Sequence, residues 1–377
     1  MNPAPSIEVT PICLLTGFLG SGKTTILNYL LRQPRTAHTA VVINEFGEIG
    51  LDHQLVESST EKLVLLQSGC LCCTIRGDLM KTLRGMLEQR ERGEIAFDRV
   101  IIETTGLADP APILQTLITD HALLTSFRLE SVIATVDAAA GLATLDSQFE
   151  AVKQAAVADR LLVTKVDLVE PACVYALERR LRALNPGAPI IRAYNGAVDP
   201  ASILDAGLYD PSSKTPQVQD WLRAEAYPEH GHDHHDHHHA HDGHEHHDHV
   251  HDHGHDHDPN RHDDRISAVS YTVDEPIPAL TFDVWLTALL SLRGPDLLRM
   301  KGLIHVKGMP GPFVLHGVQH VFHPPMLLKD WPPDDRRSKI VLIGRDLTPD
   351  FLQDSFGFLA SGSVKERAGA DKGASTL

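Results

Sequence analysis

"LLTGFLGSGKTTILNYLL", residues 14–31, decides the fold. An apolar run of strand length, "PICLLT", leads into Gly17-x4-Gly22-Lys23-Thr24, and an amphipathic helical pattern from Thr24 to Arg32 follows. That is the P-loop pattern in its strand–turn–helix context. Its glycines let backbone N–H groups turn inward and cradle phosphates at a helix N-terminus, where the helix dipole favours anions. Lys23 is expected to reach the β- and γ-phosphates, and Thr24 to place its hydroxyl on Mg²⁺. Gly17, Gly20, Ser21, Gly22 and Thr25 complete the expected phosphate-binding set.

Outward from this stretch, the first two hundred residues alternate buried-strand runs with helical patterns. "AVVIN", "KLVLLQ", "RVIIE", "SVIATVDA", "RLLVTKVD" and "PIIRAY" read as further strands. Helical stretches lie between them at 78–92, 110–117, 147–158 and 171–184. Such alternation predicts βαβ units, hence an α/β P-loop NTPase fold with a mostly parallel sheet covered on both faces. "ISAVSYTV", a helix over 281–292, "LIHVKG", "PFVLHGVQHVF" and "KIVLIG" then predict a smaller α+β domain. The expected division is a nucleotide domain at 8–200, a linker at 201–264, a C-terminal domain at 265–362 and a solvated tail at 363–377.

Charge is concentrated in the linker. Residues 229–264 hold eleven acidic residues and one arginine, a net −10 of the chain's −16, which leaves −6 for everything else. No basic stripe suggests nucleic acid, and no polybasic cluster suggests anionic lipid. The start lacks a charged and then long apolar leader, and no run approaches the roughly 18 apolar residues of a membrane span. The expectation is a soluble cytoplasmic protein.

Two further carboxylates belong to the nucleotide site. "RVIIETTG" is an apolar strand ending in Glu103, which can hold the Mg²⁺ shell or its water; the Gly106 N–H can meet the γ-phosphate. "LLVTKVD" places Lys165 and Asp167 at the end of a later strand. A carboxylate there can accept both N1–H and N2–H of guanine, and a wrong base leaves it unpaired. Thr164 stands where the usual guanine motif has Asn, so its single hydroxyl donor predicts a weaker tether. GTP is favoured over ATP. Glu45 and Glu48, in "NEFGEIGLD", fall where a switch loop would lie. Glu45 is carried as a catalytic candidate beside the reading of a solvated carboxylate.

Of five cysteines, three crowd into "SGCLCCTIRGDL": Cys70, Cys72 and Cys73. Thiols near a helix N-terminus ionise more readily, which favours Zn²⁺. The alternatives are buried small side chains or a redox site. Tetrahedral zinc needs a fourth ligand, for which Glu48 is the candidate. The linker also carries sixteen histidines in the twenty-nine positions 230–258, densest at His234, His235, His237, His238 and His239. With no periodicity it is expected to be disordered without metal, and to bind divalent transition-metal ions weakly and in exchange. A passive solubilising linker is the blander reading. His316, His320 and His323 are read as ordinary strand residues, His316 and His320 on one face and His323 on the other.

With these motifs in hand the sequence resembles the CobW-type family of P-loop GTPases, related to the nickel-handling GTPases of urease and hydrogenase maturation. The likeness rests on "GFLGSGKTT", "NEFGEIGLD", "GCLCC", "ETTGLADP", "TKVD", "LLRMKG" and "HGVQHVF", in order along nearly the whole chain. Thr164 in the guanine motif is familiar in such proteins, and a histidine-rich insert between the domains recurs among them. The resemblance implies slow GTP hydrolysis coupled to delivery of a metal ion, most often zinc, to a metal-requiring client protein. Some members serve cobalt in cobalamin synthesis or iron in nitrile hydratase. If Glu48 moves with its loop, hydrolysis would loosen the ion. The other expected partners are divalent metal ions and a second copy of the chain as a homodimer. A metal-storage protein with a vestigial P-loop and an ATP-dependent small-molecule kinase are the readings from other classes.

Overall fold

The computed structural model describes residues 9–46, 63–68, 73–204, 265–323, 325–331 and 335–361. Seven strands form the first sheet: β1 (Thr10–Gly17), β2 (Thr39–Phe46), β3 (Leu63–Ser68), β4 (Arg99–Glu103), β5 (Phe127–Asp137), β6 (Arg160–Thr164) and β7 (Ile190–Arg192). Their order is β3-β2-β4-β1-β5-β6-β7, and every pairing is parallel. Parallel strands need crossovers, supplied by α1 (Lys23–Leu31), α2 (Cys73–Glu91), α3 (Ala111–Thr119), α4 (His121–Leu124), α5 (Gly141–Ser147), α6 (Phe149–Val157) and α7 (Pro171–Leu184), while the short α8 (Pro200–Leu204) follows β7.

Both faces are covered, which is why the strands read as continuous apolar runs rather than as alternations. Ile12 and Leu14 of β1 pack with Leu83 of α2 and Leu114 of α3. Cys13 and Leu15, one residue out of phase, pack with Ile26 and Leu30 of α1 on the other side. Each such fully buried aliphatic side chain contributes about 2 kcal/mol of transfer free energy. The parallel arrangement puts the C-terminal ends of β1, β2, β3, β4 and β6 along one edge, where ligands of open α/β sheets bind.

The second sheet is antiparallel, ordered β11-β10-β9-β13-β8, from β8 (Ile266–Val273), β9 (Leu297–Ile304), β10 (Phe313–Val318), β11 (Val321–Phe322) and β13 (Ser338–Arg345); β12 (Met326–Leu327) adds to β10. One face packs on helices Ala279–Arg293 and Pro349–Ser361 through Trp285, Leu289, Leu352 and Phe356. The other packs on the first domain: Ala268, Leu298, Val341 and Ile343 share a core with Ala155, Leu177 and Leu181.

Three readings need correction. The strand expected at "LIHVKG" runs earlier, at Leu297–Ile304, because Arg299 and Lys301 interrupt its apolar pattern and yet are buried. "PFVLHGVQHVF" is two strands, with Gln319 at φ 54 turning the chain between them. That hairpin stacks His316 on His323 with ring centroids 5.0 Å apart, where opposite faces were expected. Helix Pro349–Ser361 has no counterpart in the sequence reading.

Candidate nucleotide and metal site

The P-loop joins β1 to α1. Gly17 has φ 142, and a Cβ there would lie 2.2 Å from Thr135 Oγ1, so no larger residue fits this turn. Gly22 caps α1 in the left-handed region at φ 92 with no side-chain cap, which leaves the first-turn N–H groups to an incoming anion. Gly20, at φ 73, meets nothing within 4 Å of a built Cβ. Ser21 is buried, its hydroxyl 2.6 Å from Thr135 Oγ1. Lys23 Nζ donates to the carbonyls of Gly17 at 3.0 Å and Phe18 at 3.2 Å. The ammonium therefore lies over the loop's own carbonyls, where phosphate oxygens can replace them.

Thr24 Oγ1 donates to Glu103 Oε1 at 2.9 Å, joining residues 79 apart in sequence. Glu103 is 5% exposed at the end of β4, and β4 pairs with β1, so sheet register brings the carboxylate to the helix start. A hydroxyl and a carboxylate are hard oxygen donors with the chemistry Mg²⁺ prefers, and together with phosphate oxygens and water they fit that ion.

The guanine-side residues also converge. Thr164 Oγ1 donates to the Ser21 carbonyl at 2.7 Å, so a threonine at this position does tether the P-loop. Lys165, at φ 55, turns its ammonium onto Asp137. Asp167 Oδ1 accepts the Asn195 N–H at 3.4 Å. The turn around Asn195 and Gly196 went unnoticed in the sequence, although an Asn-Gly pair after the strand "PIIRAY" is a turn signal. It closes on the site: a Cβ at Gly196 would lie 2.7 Å from Thr25 Cγ2. Thr25 is thus against the base-side loop, on the exposed rim of α1.

Gly106 lies against the P-loop, since a Cβ there would come within 2.5 Å of Leu19 Cα. On its other side Gln154 Nε2 donates to the Gly106 carbonyl at 3.2 Å and to the Ala108 carbonyl at 3.0 Å. Gln154 carried no role in the sequence reading. Glu45 lies in β2, two residues beyond the register partner of Glu103.

Of the metal candidates, Cys73 opens α2. Glu48, Cys70, Cys72, His234, His235, His237, His238 and His239 lie outside the described residues. The edge strand β3 ends at Ser68, two strands and about 10 Å from the Glu103 strand. The remaining cysteines stand apart: Cys173 is exposed, and Cys13 is buried with its thiol donating to Glu130 at 3.2 Å. Burial, reinforced by the Glu130 charge, pushes the Cys13 thiol pKa far up, so it stays protonated. Among the described residues no three metal-ligating side chains cluster, and no helix is long and apolar enough to cross a membrane.

Comparison with known proteins agrees with this geometry. Residues 11–192 match the CobW/HypB/UreG nucleotide-binding domain, and residues 266–359 match the cobalamin synthesis protein cobW C-terminal domain. The zinc chaperone YjiA of Escherichia coli is 30% identical over 359 residues, covering 95% of this chain and 99% of that protein. The zinc-regulated GTPase metalloprotein activator 1 of Schizosaccharomyces pombe is 32% identical over 212 residues; the match spans 54% of this chain and 51% of the yeast protein. The crystal structure of zinc-bound YjiA superposes with a TM-score of 0.63 over 93% of this chain and 99% of that one, at 24% identity, a likeness of fold. A P-loop sheet followed by an antiparallel domain, aligned end to end with such a relative, identifies the chain as a member of the CobW-type family of P-loop GTPases.

Proposed function

We propose that the chain is a GTP-hydrolysing metallochaperone that binds zinc at Cys70, Cys72 and Cys73 and passes it to a client protein. The observation that carries the reading is the assembled Thr24–Glu103 contact beneath a P-loop, in a chain that aligns over nearly its whole length with a zinc chaperone. A vestigial P-loop in a storage protein would have no need of that contact.

In this reading Lys23 leaves the Gly17 and Phe18 carbonyls for the β- and γ-phosphates. Thr24 and Glu103 hold Mg²⁺, which supplies charge neutralisation at the transferring phosphoryl group. Asp167, already oriented by the Asn195 N–H, accepts two hydrogen bonds from guanine. Glu45 orients the attacking water. Glu48 is the fourth zinc ligand, and it moves with the switch loop when the γ-phosphate departs, so hydrolysis weakens the grip on the ion. The histidine tract, residues 230–258, gathers divalent ions for the cysteines. The reading takes residues 8–200 as the nucleotide unit, 265–362 as the second unit, and the cytoplasm as the compartment. A homodimer is compatible with it.

Cobalt delivery in cobalamin synthesis is the second reading, favoured by the match of residues 266–359 to the cobW C-terminal domain. The test is phosphate release from GTP with and without Zn²⁺ and Co²⁺, in the intact protein and in Cys72→Ala. Turnover that responds to Zn²⁺ and loses that response in Cys72→Ala is expected. A response to Co²⁺ alone moves the assignment to cobalt. Ion binding without any GTP turnover leaves a storage protein, and turnover of ATP in preference to GTP overturns the guanine assignment.

A further inference from the structure

The loop after Glu103 is held from behind by one amide. Gln154 is 1% exposed on α6 and bonds two alternate carbonyls of that loop, Gly106 and Ala108. The peptides are trans, so each carbonyl points opposite to the N–H of the next residue. Fixing both carbonyls on Gln154 therefore turns the N–H groups of Leu107 and Asp109 away from α6. Gly106 itself is pinched between this amide and the backbone of Leu19 in the P-loop. The height of the loop over the phosphate cradle is thus set by α6.

Two further observations make α6 more than a prop. Gln154 Oε1 is buried with no hydrogen-bond partner among the described residues, in the wall of a cavity also lined by Phe18, Leu19 and Ser21 of the P-loop. A buried acceptor without a partner is costly and uncommon. Here it gives the amide an unused valence that loop N–H groups can take up in a second arrangement. Three residues further on, the Val157 carbonyl at the end of α6 accepts a hydrogen bond from Arg299 of the C-terminal domain. The nucleotide loop and the second domain therefore grip the same nine-residue helix.

We infer that Gln154 is a positioning residue for nucleotide hydrolysis. It holds the Gly106–Ala108 loop in the γ-phosphate-competent arrangement and exchanges partners when that phosphate leaves, so that α6 reports the nucleotide state to the C-terminal domain. The inference rests on the GTPase reading above. Gln154→Met keeps the length and packing of the side chain and removes the amide. In the full-length protein it is expected to lower kcat for GTP by about tenfold or more, and to lower the affinity for guanylyl-imidodiphosphate relative to GDP by about fivefold. GDP affinity should stay within about twofold of wild type, and Tm within about 3 °C. Lys153→Met breaks the partly buried ion pair with Asp109, 2.8 Å long, and should change these quantities by less than about twofold. An equal loss of GDP and analogue affinity with a large fall in Tm marks a packing role and overturns the inference, as does an unchanged kcat and affinity ratio. If wild type itself does not turn over GTP, the functional reading falls, and the affinity ratio still decides the role of Gln154. Should Gln154→Met not fold, amide exchange in the wild type decides. Exchange at 106–109 and along 149–157 that differs together between the analogue and GDP complexes is expected; identical exchange overturns the inference.

Discussion

The two ends of strand β6 show two uses of a polar group at the rim of one sheet. At its C-terminal end Thr164 bonds a P-loop carbonyl, amid backbone donors left uncapped for a ligand. Just before its N-terminal end, about 16 Å away at strand rise, Asp159 is fully enclosed and already neutralised by the chain itself. It accepts the Val132 N–H at 3.0 Å, a hydrogen bond from Arg299, and the ion pair of Lys301 at 3.6 Å. Burial alone would raise the Asp159 carboxyl, but Arg299 and Lys301 hold it below the ordinary carboxylate range. One end is a cradle with the chemistry of an anion site; the other is a joint whose anion is built in.

Substitutions should separate the two ends, and the largest effect belongs to the open one. Lys23→Ala should lower GTP turnover by about 100-fold or more, near 3 kcal/mol of transition-state stabilisation, with an unchanged denaturation curve. Phosphate release and urea titration on the same sample measure both. Asp159→Ala should do the reverse. It leaves the Arg299 charge buried without its counter-charge, at about 3 kcal/mol of stability or more, while nucleotide affinity of the protein still folded is kept. A fall in nucleotide affinity that matched Lys23→Ala would erase the distinction between the ends. Thr164→Val, which removes only the tether hydroxyl, should weaken GTP and GDP alike by about fivefold, near 1 kcal/mol, as read by competition with a fluorescent guanine nucleotide.

The last effect is one of pH. Burial holds His323 down to about 4, and burial followed by the Arg299 charge holds His316 well below its ordinary value. Both are neutral in the folded protein near neutrality, whereas the unfolded chain protonates them near 6.5. Their contribution is complete above that pH, is lost as pH falls toward 4, and is level below it for His323. Stability should therefore fall on acidification below that pH, and His323→Phe should flatten that part of the Tm–pH curve. A curve of equal slope in the variant would contradict the assignment.

The same contrast explains what was legible in the sequence. The P-loop end was readable because its logic is local: Gly17 to Thr24 are contiguous, and the strands flanking them are apolar on both faces. Glu103 terminates an apolar strand, so its position at the sheet edge followed from pattern alone; Asp167 lies three residues past the end of β6, in the short helical turn Val166–Leu168. The joint was hidden because its parts lie in three distant segments. Arg299 and Lys301 look like solvent residues in "LLRMKGLI", and only Asp159, some 140 positions away, makes their burial tolerable. A register shift between Ile343 and Gly344 skips Leu298, so Leu298 and Arg299, though consecutive, both meet the first domain. No periodicity rule anticipates that. Gln154 escaped notice for the same reason, since a lone amide in "FEAVKQAAV" signals nothing until the loop it holds is in place.

The proposed function requires nucleotide state to control how tightly the cysteine segment would hold zinc. Zinc affinity measured by competition titration, with the protein loaded first with guanylyl-imidodiphosphate and then with GDP, tests it most directly. Tighter binding with the analogue, by about tenfold or more, and loss of the difference in Cys72→Ala are expected. Equal affinities in the two nucleotide states would contradict it.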